Sequence, residues 1–227
     1  MIIFVDYEHA SSRDTEWGRE ITRLRTELTY KLEDLAGEHC MLVRYDRITD
    51  GLLGLLDPTA IFISGNGTDP ARYTEADLAP IVRVIRAQEY PIMGFCGGFQ
   101  LMATALDVEL QPMGAVLEHV DEADASESPF ASASVTEVGW MPVDLARPHV
   151  LFTGLGDAPV MRHAHMFEVA YAPIGFATLA STELCAQQMF VNNETKAVGT
   201  QFHPESWTDE HPAGGRLIAN FLDWVRA

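Results

Sequence analysis

Basic residues are scarce in this chain: 15 lysines and arginines stand against 33 aspartates and glutamates, a net charge of −18. That balance argues against a surface built to track phosphates, so neither nucleic acid nor an anionic membrane is an expected partner. Cysteine is sparse too. Cys40, Cys96 and Cys185 are too few and too scattered for a disulfide framework or a cysteine zinc site, and the odd count leaves at least one thiol free. No apolar run approaches the ~18 residues of a membrane-spanning helix. The opening MIIFVDYEHA has no basic start and meets Asp6 too soon for a secretory leader. Internal repeats and low-complexity tracts are missing as well. A soluble, cytoplasmic protein in a reducing compartment is the expectation.

What is present is ample core material: 47% of the residues are hydrophobic, enough for one domain over residues 1–227. Short apolar segments alternate with helical patterns over the first half, the sign of an α/β domain with a largely parallel sheet. Strands are predicted at IIFV (2–5), CMLVRY (40–45), AIFIS (60–64) and PIMGF (91–95). The spacing Trp17, Ile21, Leu24, Leu28, Leu32, Leu35 predicts one helical face closed by Gly37. Leu78, Ile81, Val82 and Ile85 predict a second helix, and FQLMATAL (99–106) a third. Residues 117–134 are acidic and rich in small side chains, which suggests an exposed loop or hairpin tip. Beyond them, ASVTEV, VLFTGL, FATLA, CAQQMFV and KAVGTQF read as strands of a mixed or antiparallel extension. A last helix carries Leu217, Ile218, Phe221, Leu222 and Val225 on one side.

One stretch asks for chemistry. Residues 94–100 read GFCGGFQ, a cysteine on a strand-to-helix turn with glycine two residues to either side. This is the thiol form of a nucleophile elbow, in which the reactive side chain stands exposed on a strained turn. Gly94 and Gly98 remove the side chains that would crowd it. The following helix N-terminus favours a thiolate, and the Gly97 N–H points where an oxyanion would form. A buried cysteine in a glycine-rich packing turn would give the same pattern. Cys40 and Cys185, each within an apolar strand-like run, read as core.

A thiol nucleophile needs a base, and the base an orienting acceptor. QFHPE (201–205) places His203 at a predicted strand exit, with Glu205 able to hold its far ring nitrogen. Seven other histidines compete: His9, His39, His119, His149, His163, His165 and His211. None of them is followed by a carboxylate two residues on at a strand exit. His163 and His165 have the look of a metal pair, but no third ligand stands near them in the sequence, so no metal site is expected.

Together, GFCGGFQ and FHPE resemble the class I (triad) glutamine amidotransferases, in which a cysteine, a histidine and a glutamate hydrolyse glutamine to glutamate and ammonia. Ser64–Pro70, SGNGTDP, is similar to that family's glycine-rich oxyanion loop. Asn66 stands there where glycine is usual, and asparagine tolerates left-handed torsions better than most residues. AHMFEV (164–169) resembles the family segment NHGFAV, whose backbone recognises the amino-acid end of glutamine, with Met166 replacing a small residue. EVGWMPV (137–143) is similar to the stand-alone, GMP-synthase-like members.

The resemblance covers nearly the whole chain and implies a flavodoxin-like architecture. It also implies a triad of Cys96, His203 and Glu205, oxyanion donors at Gly97 and Asn66, and substrate contacts from Gly65, Gln100, His165, Met166 and Phe167. No metal or organic cofactor is implied. The sequence shows no appended ATP-binding loop, so the implied ammonia acceptor is a separate synthase or synthetase subunit. Two other readings stay open: a free-standing hydrolase of γ-glutamyl amides, and a catalytically silent binding subunit.

Overall fold

The computed structural model describes residues 1–113 and 136–227. The acidic segment 117–134 lies outside the described residues. Among those described, the strands are β1 (Ile2–Asp6), β2 (Cys40–Arg44), β3 (Ala60–Ile63), β4 (Ile92–Phe95), β5 (Leu110–Pro112), β6 (Glu137–Pro142), β7 (Asp144–Leu145), β8 (Val160–His165), β9 (Phe167–Val169), β10 (Ala177–Ser181), β11 (Met189–Asn192) and β12 (Ala197–Thr200). The α-helices are α1 (Glu16–Ala36), α2 (Asp50–Leu56), α3 (Glu75–Ala87), α4 (Gly97–Ala105) and α5 (Ala213–Arg226).

The main sheet runs in the order β2-β1-β3-β4-β12-β11-β10-β7. β2, β1, β3, β4 and β12 are parallel, and β11, β10 and β7 continue the sheet antiparallel. Two small antiparallel ladders, β5-β9 and β6-β8, lie beside it. The expected mostly parallel sheet with an antiparallel extension is therefore what forms.

Alternation along β1 decides the layers, because successive side chains leave a strand on opposite faces. Ile2 and Phe4 join Leu28, Leu32, Phe62, Phe95 and Phe221 under α1 and α5. Ile3 and Val5 join Ile61, Ile81, Ile85 and Phe99 under α3 and α4. Both clusters are almost fully shielded from solvent. Helix α1 begins where Thr15 caps the Gly18 amide, and it ends, as its sequence predicts, where Gly37 turns left-handed at φ 65°.

Three readings need correction. The buried face of α1 carries Ile21, Arg25, Leu28, Leu32 and Ala36, while Leu24 is 40% exposed. The inward stripe is thus rotated by about one residue from the apolar pattern, because Arg25 has a polar site to reach. VLFTGL is not a strand. Val150–Phe152 is a 3₁₀ turn, whose Leu151 amide donates to His149 Nδ1 and whose Phe152 amide donates to the His149 carbonyl. Cys185 sits in the β10–β11 connection, its amide donating to Thr182 Oγ1 at 3.1 Å, and β11 begins only at Met189.

Phe62 is fully buried, stacked on Phe95 at 5.9 Å and edge-on to Phe221 at 5.6 Å. Phe62→Ala should lower the free energy of unfolding by about 3–5 kcal/mol, measured as a reduced urea midpoint at unchanged slope.

Candidate active site

β3, β4 and β12 are neighbours in the sheet and point the same way. The segments that leave their carboxyl ends therefore meet at one edge, where ligands bind in open α/β sheets. β3 delivers Ser64, Gly65 and Asn66, β4 delivers Cys96, and β12 delivers Gln201 to Glu205.

Cys96 is the first residue beyond β4 and the cap residue of α4. Its backbone stands at φ 45°, ψ −104°, a conformation costly for any residue with a Cβ and characteristic of functional turns. Two hydrogen bonds hold it: its amide donates to the Thr200 carbonyl at 2.7 Å, and its carbonyl accepts from the Gln100 amide at 2.9 Å. Close approach explains the glycines. A Cβ on Gly98 would lie 2.4 Å from the Ile63 carbonyl oxygen, and one on Gly97 would lie 1.9 Å from Asn66 Oδ1 and 2.9 Å from the Asn66 amide nitrogen. The backbones at positions 66 and 97 are thus pressed together beside the thiol.

His203 arrives on the same spot. A Cβ built on Gly65 would be 3.2 Å from His203 Cε1 and 3.5 Å from Cys96 Cβ. His203 Nδ1 meets Glu205 Oε1 at 2.7 Å, which leaves Nε2 for the sulfur side. The His203 amide donates to the Arg162 carbonyl at 2.7 Å, tying β8 to the site. Burial pulls the His203 imidazolium down, but the Glu205 carboxylate and the Cys96 sulfur outweigh it and hold the ring up at about 10. Burial pushes the Cys40 thiol up to about 12 and raises that of Cys185 as well, so both stay protonated core residues.

An open cleft of about 1190 Å³ is lined by Gly65, Asn66, Cys96, Ala164, His203 and Glu205, and continues along α1 from Glu16 to Lys31. The Cys96 sulfur is 3.8 Å from the Ala164 carbonyl and 3.6 Å from Gln201 Nε2.

The remaining residues singled out from the sequence fall elsewhere. Gln100 does not line the cleft. Its amide bonds Gln201 Oε1 at 3.1 Å and the Phe167 carbonyl at 3.4 Å, so it acts on the sulfur through Gln201. His165 is buried behind β8, its Nδ1 on the Phe167 carbonyl at 3.1 Å and its Nε2 on Glu137 Oε2 at 2.7 Å. Met166 and Phe167 are also absent from the cleft lining, and the Met166 carbonyl accepts the Met113 amide at 3.0 Å. Asn66 makes no use of left-handed torsions, since positive φ among the described non-glycine residues is confined to Asp57, Gln88, Cys96, Asp107 and Lys196. Its side chain instead bonds the Thr68 carbonyl at 2.8 Å and Tyr73 Oη at 3.2 Å.

Several site residues escaped the sequence reading. Arg25 Nη2 donates to the Gly65 carbonyl at 2.7 Å while its Nε faces Asp6 at 3.3 Å. Glu8, 4% exposed, accepts the Gly67 amide at 2.7 Å and the Thr68 hydroxyl. Neither residue carried a signal in the sequence, since the burial of both becomes visible only in the fold. Strand pairing also brings Glu137, remote from His163 and His165 in the sequence, directly opposite His165.

The His203 assignment has a spectroscopic consequence. Its folded-state pKa, near 10, lies above the ordinary 6.5. The stability contributed by the charged ring is therefore complete below pH 6.5 and lost as pH rises towards 10. Glu205→Gln removes the main raising charge and leaves the burial, so the His203 ring signals in a histidine NMR titration should move to lower pH.

The family model "Glutamine amidotransferase class-I" matches residues 26–224. A GMP synthase (glutamine-hydrolyzing) from Phenylobacterium zucineum is 26% identical over 220 residues, 95% of this chain but 36% of that protein, so the chain spans about a third of that relative. The imidazole glycerol phosphate synthase subunit HisH of Cereibacter sphaeroides is 32% identical over 148 residues, 63% of this chain and 66% of that subunit. A crystal structure of a glutamine amidotransferase from Thermotoga maritima superposes with a TM-score of 0.65 at 16% identity, covering 100% of this chain and 99% of that one. With the family model matching most of its length, the chain belongs to the class I glutamine amidotransferases.

Proposed function

We propose that the protein hydrolyses the side-chain amide of L-glutamine through a Cys96 thioester, releasing ammonia for a separate synthase subunit. The observation that carries this reading is the meeting of Cys96, His203 and Glu205 with the 65–67 loop at the ends of three adjacent strands. In this mechanism the Cys96 thiolate attacks the amide carbon, and the oxyanion that forms accepts from the Gly97 and Asn66 N–H groups. The Gly97 N–H lies in the first turn of α4, where it has no intrahelical acceptor. Each such donor contributes about 3 kcal/mol to the transition state. The His203 imidazolium protonates the departing nitrogen as the C–N bond breaks, and ammonia leaves. Neutral His203 then takes a proton from water, which attacks the thioester and releases glutamate and the Cys96 thiolate. Proton transfer of this kind contributes roughly 10²–10⁴-fold. A relative that is itself described as a synthase subunit supports delivery to a second chain.

A second reading rests on the cleft. The cleft is open and reaches along α1 well beyond Cys96, as far as Glu16. Such room suits a γ-glutamyl amide with a larger amine portion. Relative rates of ammonia release from glutamine and of amine release from γ-glutamyl peptides separate the two.

Cys96→Ala should abolish ammonia release while the far-ultraviolet circular dichroism and the unfolding midpoint stay near the wild-type values. An undiminished rate in that variant would refute the thioester route. His203→Ala should lower kcat more than Glu205→Gln does, because the second change removes orientation and leaves the ring in place.

A further inference from the structure

β6 and β8 pair antiparallel with Glu137 opposite His165 and Gly139 opposite His163. Glu137, His163 and His165 therefore project from one face of this ladder, and their exposures are 1%, 0% and 2%. One ligand atom from each lies within 4.8 Å of the others. Glu137 Oε2 is 2.7 Å from His165 Nε2 and 3.4 Å from His163 Nδ1. We propose that Glu137, His163 and His165 form a structural binding site for a divalent cation of the zinc class, distinct from the Cys96 cleft.

Three observations carry this. First, among the described residues the fully buried His163 has no hydrogen-bond partner at Nε2 and only the 3.4 Å approach of Glu137 Oε2 at Nδ1, while Gln188 Oε1 is buried without a partner as well. Buried polar atoms are rarely left so weakly bonded, and a cation between Glu137 and His163 Nδ1 turns that long contact into two short ones. Second, the donor set is right. Two imidazoles and a carboxylate are common zinc ligands, and with bonds of about 2.0–2.2 Å the donors of a tetrahedral site stand about 3.3–3.6 Å apart. The 3.4 Å separation already matches, and the 2.7 Å pair needs to open by less than an ångström. Third, the outer contacts are those that orient metal ligands. The second nitrogen of His165 contacts the Phe167 carbonyl at 3.1 Å, leaving Nε2 for the cation. The second Glu137 oxygen accepts the Thr182 hydroxyl at 2.5 Å, which fixes the carboxylate with Oε2 towards the two rings. Gln188, whose Nε2 contacts Glu137 Oε2 and lies 3.4 Å from His165 Nε2, stands at the remaining side.

The site would pin β8 from behind. His163 and His165 face the ladder, while Arg162 and Ala164 between them line the cleft, and the Ala164 carbonyl contacts the Cys96 sulfur. The cation is a brace for the strand and takes no part in the cleft chemistry.

The test uses the full chain, unfolded and refolded in excess Zn²⁺ or Co²⁺ and then passed over a desalting column. About one tightly held equivalent is expected by elemental analysis, with visible d–d bands of four-coordinate character for Co²⁺ and a raised melting temperature. Cys96→Ala should keep both the metal and the bands. Glu137→Gln and His163→Gln should each lower bound metal at least tenfold. Wild-type protein that refolds to its native circular dichroism yet holds less than a tenth of an equivalent overturns the site. So does loss of the metal in Cys96→Ala with retention in Glu137→Gln, which would place the cation at the thiol. Because the deciding measurement is the metal content of the wild-type chain, it holds even where a variant fails to fold.

Discussion

The hydrogen bond from the Cys96 amide to the Thr200 carbonyl, 2.7 Å long, joins the ends of β4 and β12 and closes the turn on which the thiol stands. Without that bond the φ of 45° at Cys96 would have no external support, and a residue bearing a Cβ relaxes away from such torsions. The same ladder that supplies it sets the distance between nucleophile and base. Thr200 pairs with Phe95, so the residues just beyond each strand emerge side by side. Cys96 and His203 are remote in the chain and adjacent in the sheet for one reason, the parallel register of two strands.

The third strand of this group places a loop that cannot hold itself. Residues 65–68 carry two glycines and run next to α1, and two buried charges fasten them. Arg25 reaches from the helix to the Gly65 carbonyl, and Glu8 accepts from Gly67 and Thr68. Burying a charge is unfavourable unless it is bonded on more than one side. Arg25 meets that condition through Asp6, and Glu8 through its two donors. The clamp thereby aligns the Asn66 amide with Gly97, where steric contact between the two backbones permits no side chain at position 97.

β8 is the element with two faces. Towards the cleft it shows Arg162 and Ala164, and behind it His163 and His165 meet Glu137. A continuous chain of contacts runs between the two sides: Glu137 to His165, His165 to the Phe167 carbonyl, that carbonyl to Gln100, Gln100 to Gln201 and Gln201 to the sulfur. Gln100 and His165, which resemblance places on the substrate, are links in this chain of contacts.

Local chemistry was legible from the residues alone. The Gly37 stop of α1, the apolar strand β1, the glycines around Cys96 and the two-residue spacing of His203 and Glu205 are short-range features, decided by torsions and neighbours within a turn or a strand. The inward face of α1 was not legible, because the reach of Arg25 to a carbonyl forty residues away rotates it past Leu24. Nor was the partner of His163 and His165, since Glu137 stands near them only through antiparallel pairing. Residue order therefore dictated which segments became strands and helices, and which turn could carry a reactive thiol. Strand order and register, which depend on how the two apolar faces of the sheet are covered, settled which distant side chains share a cleft and which share a buried cluster.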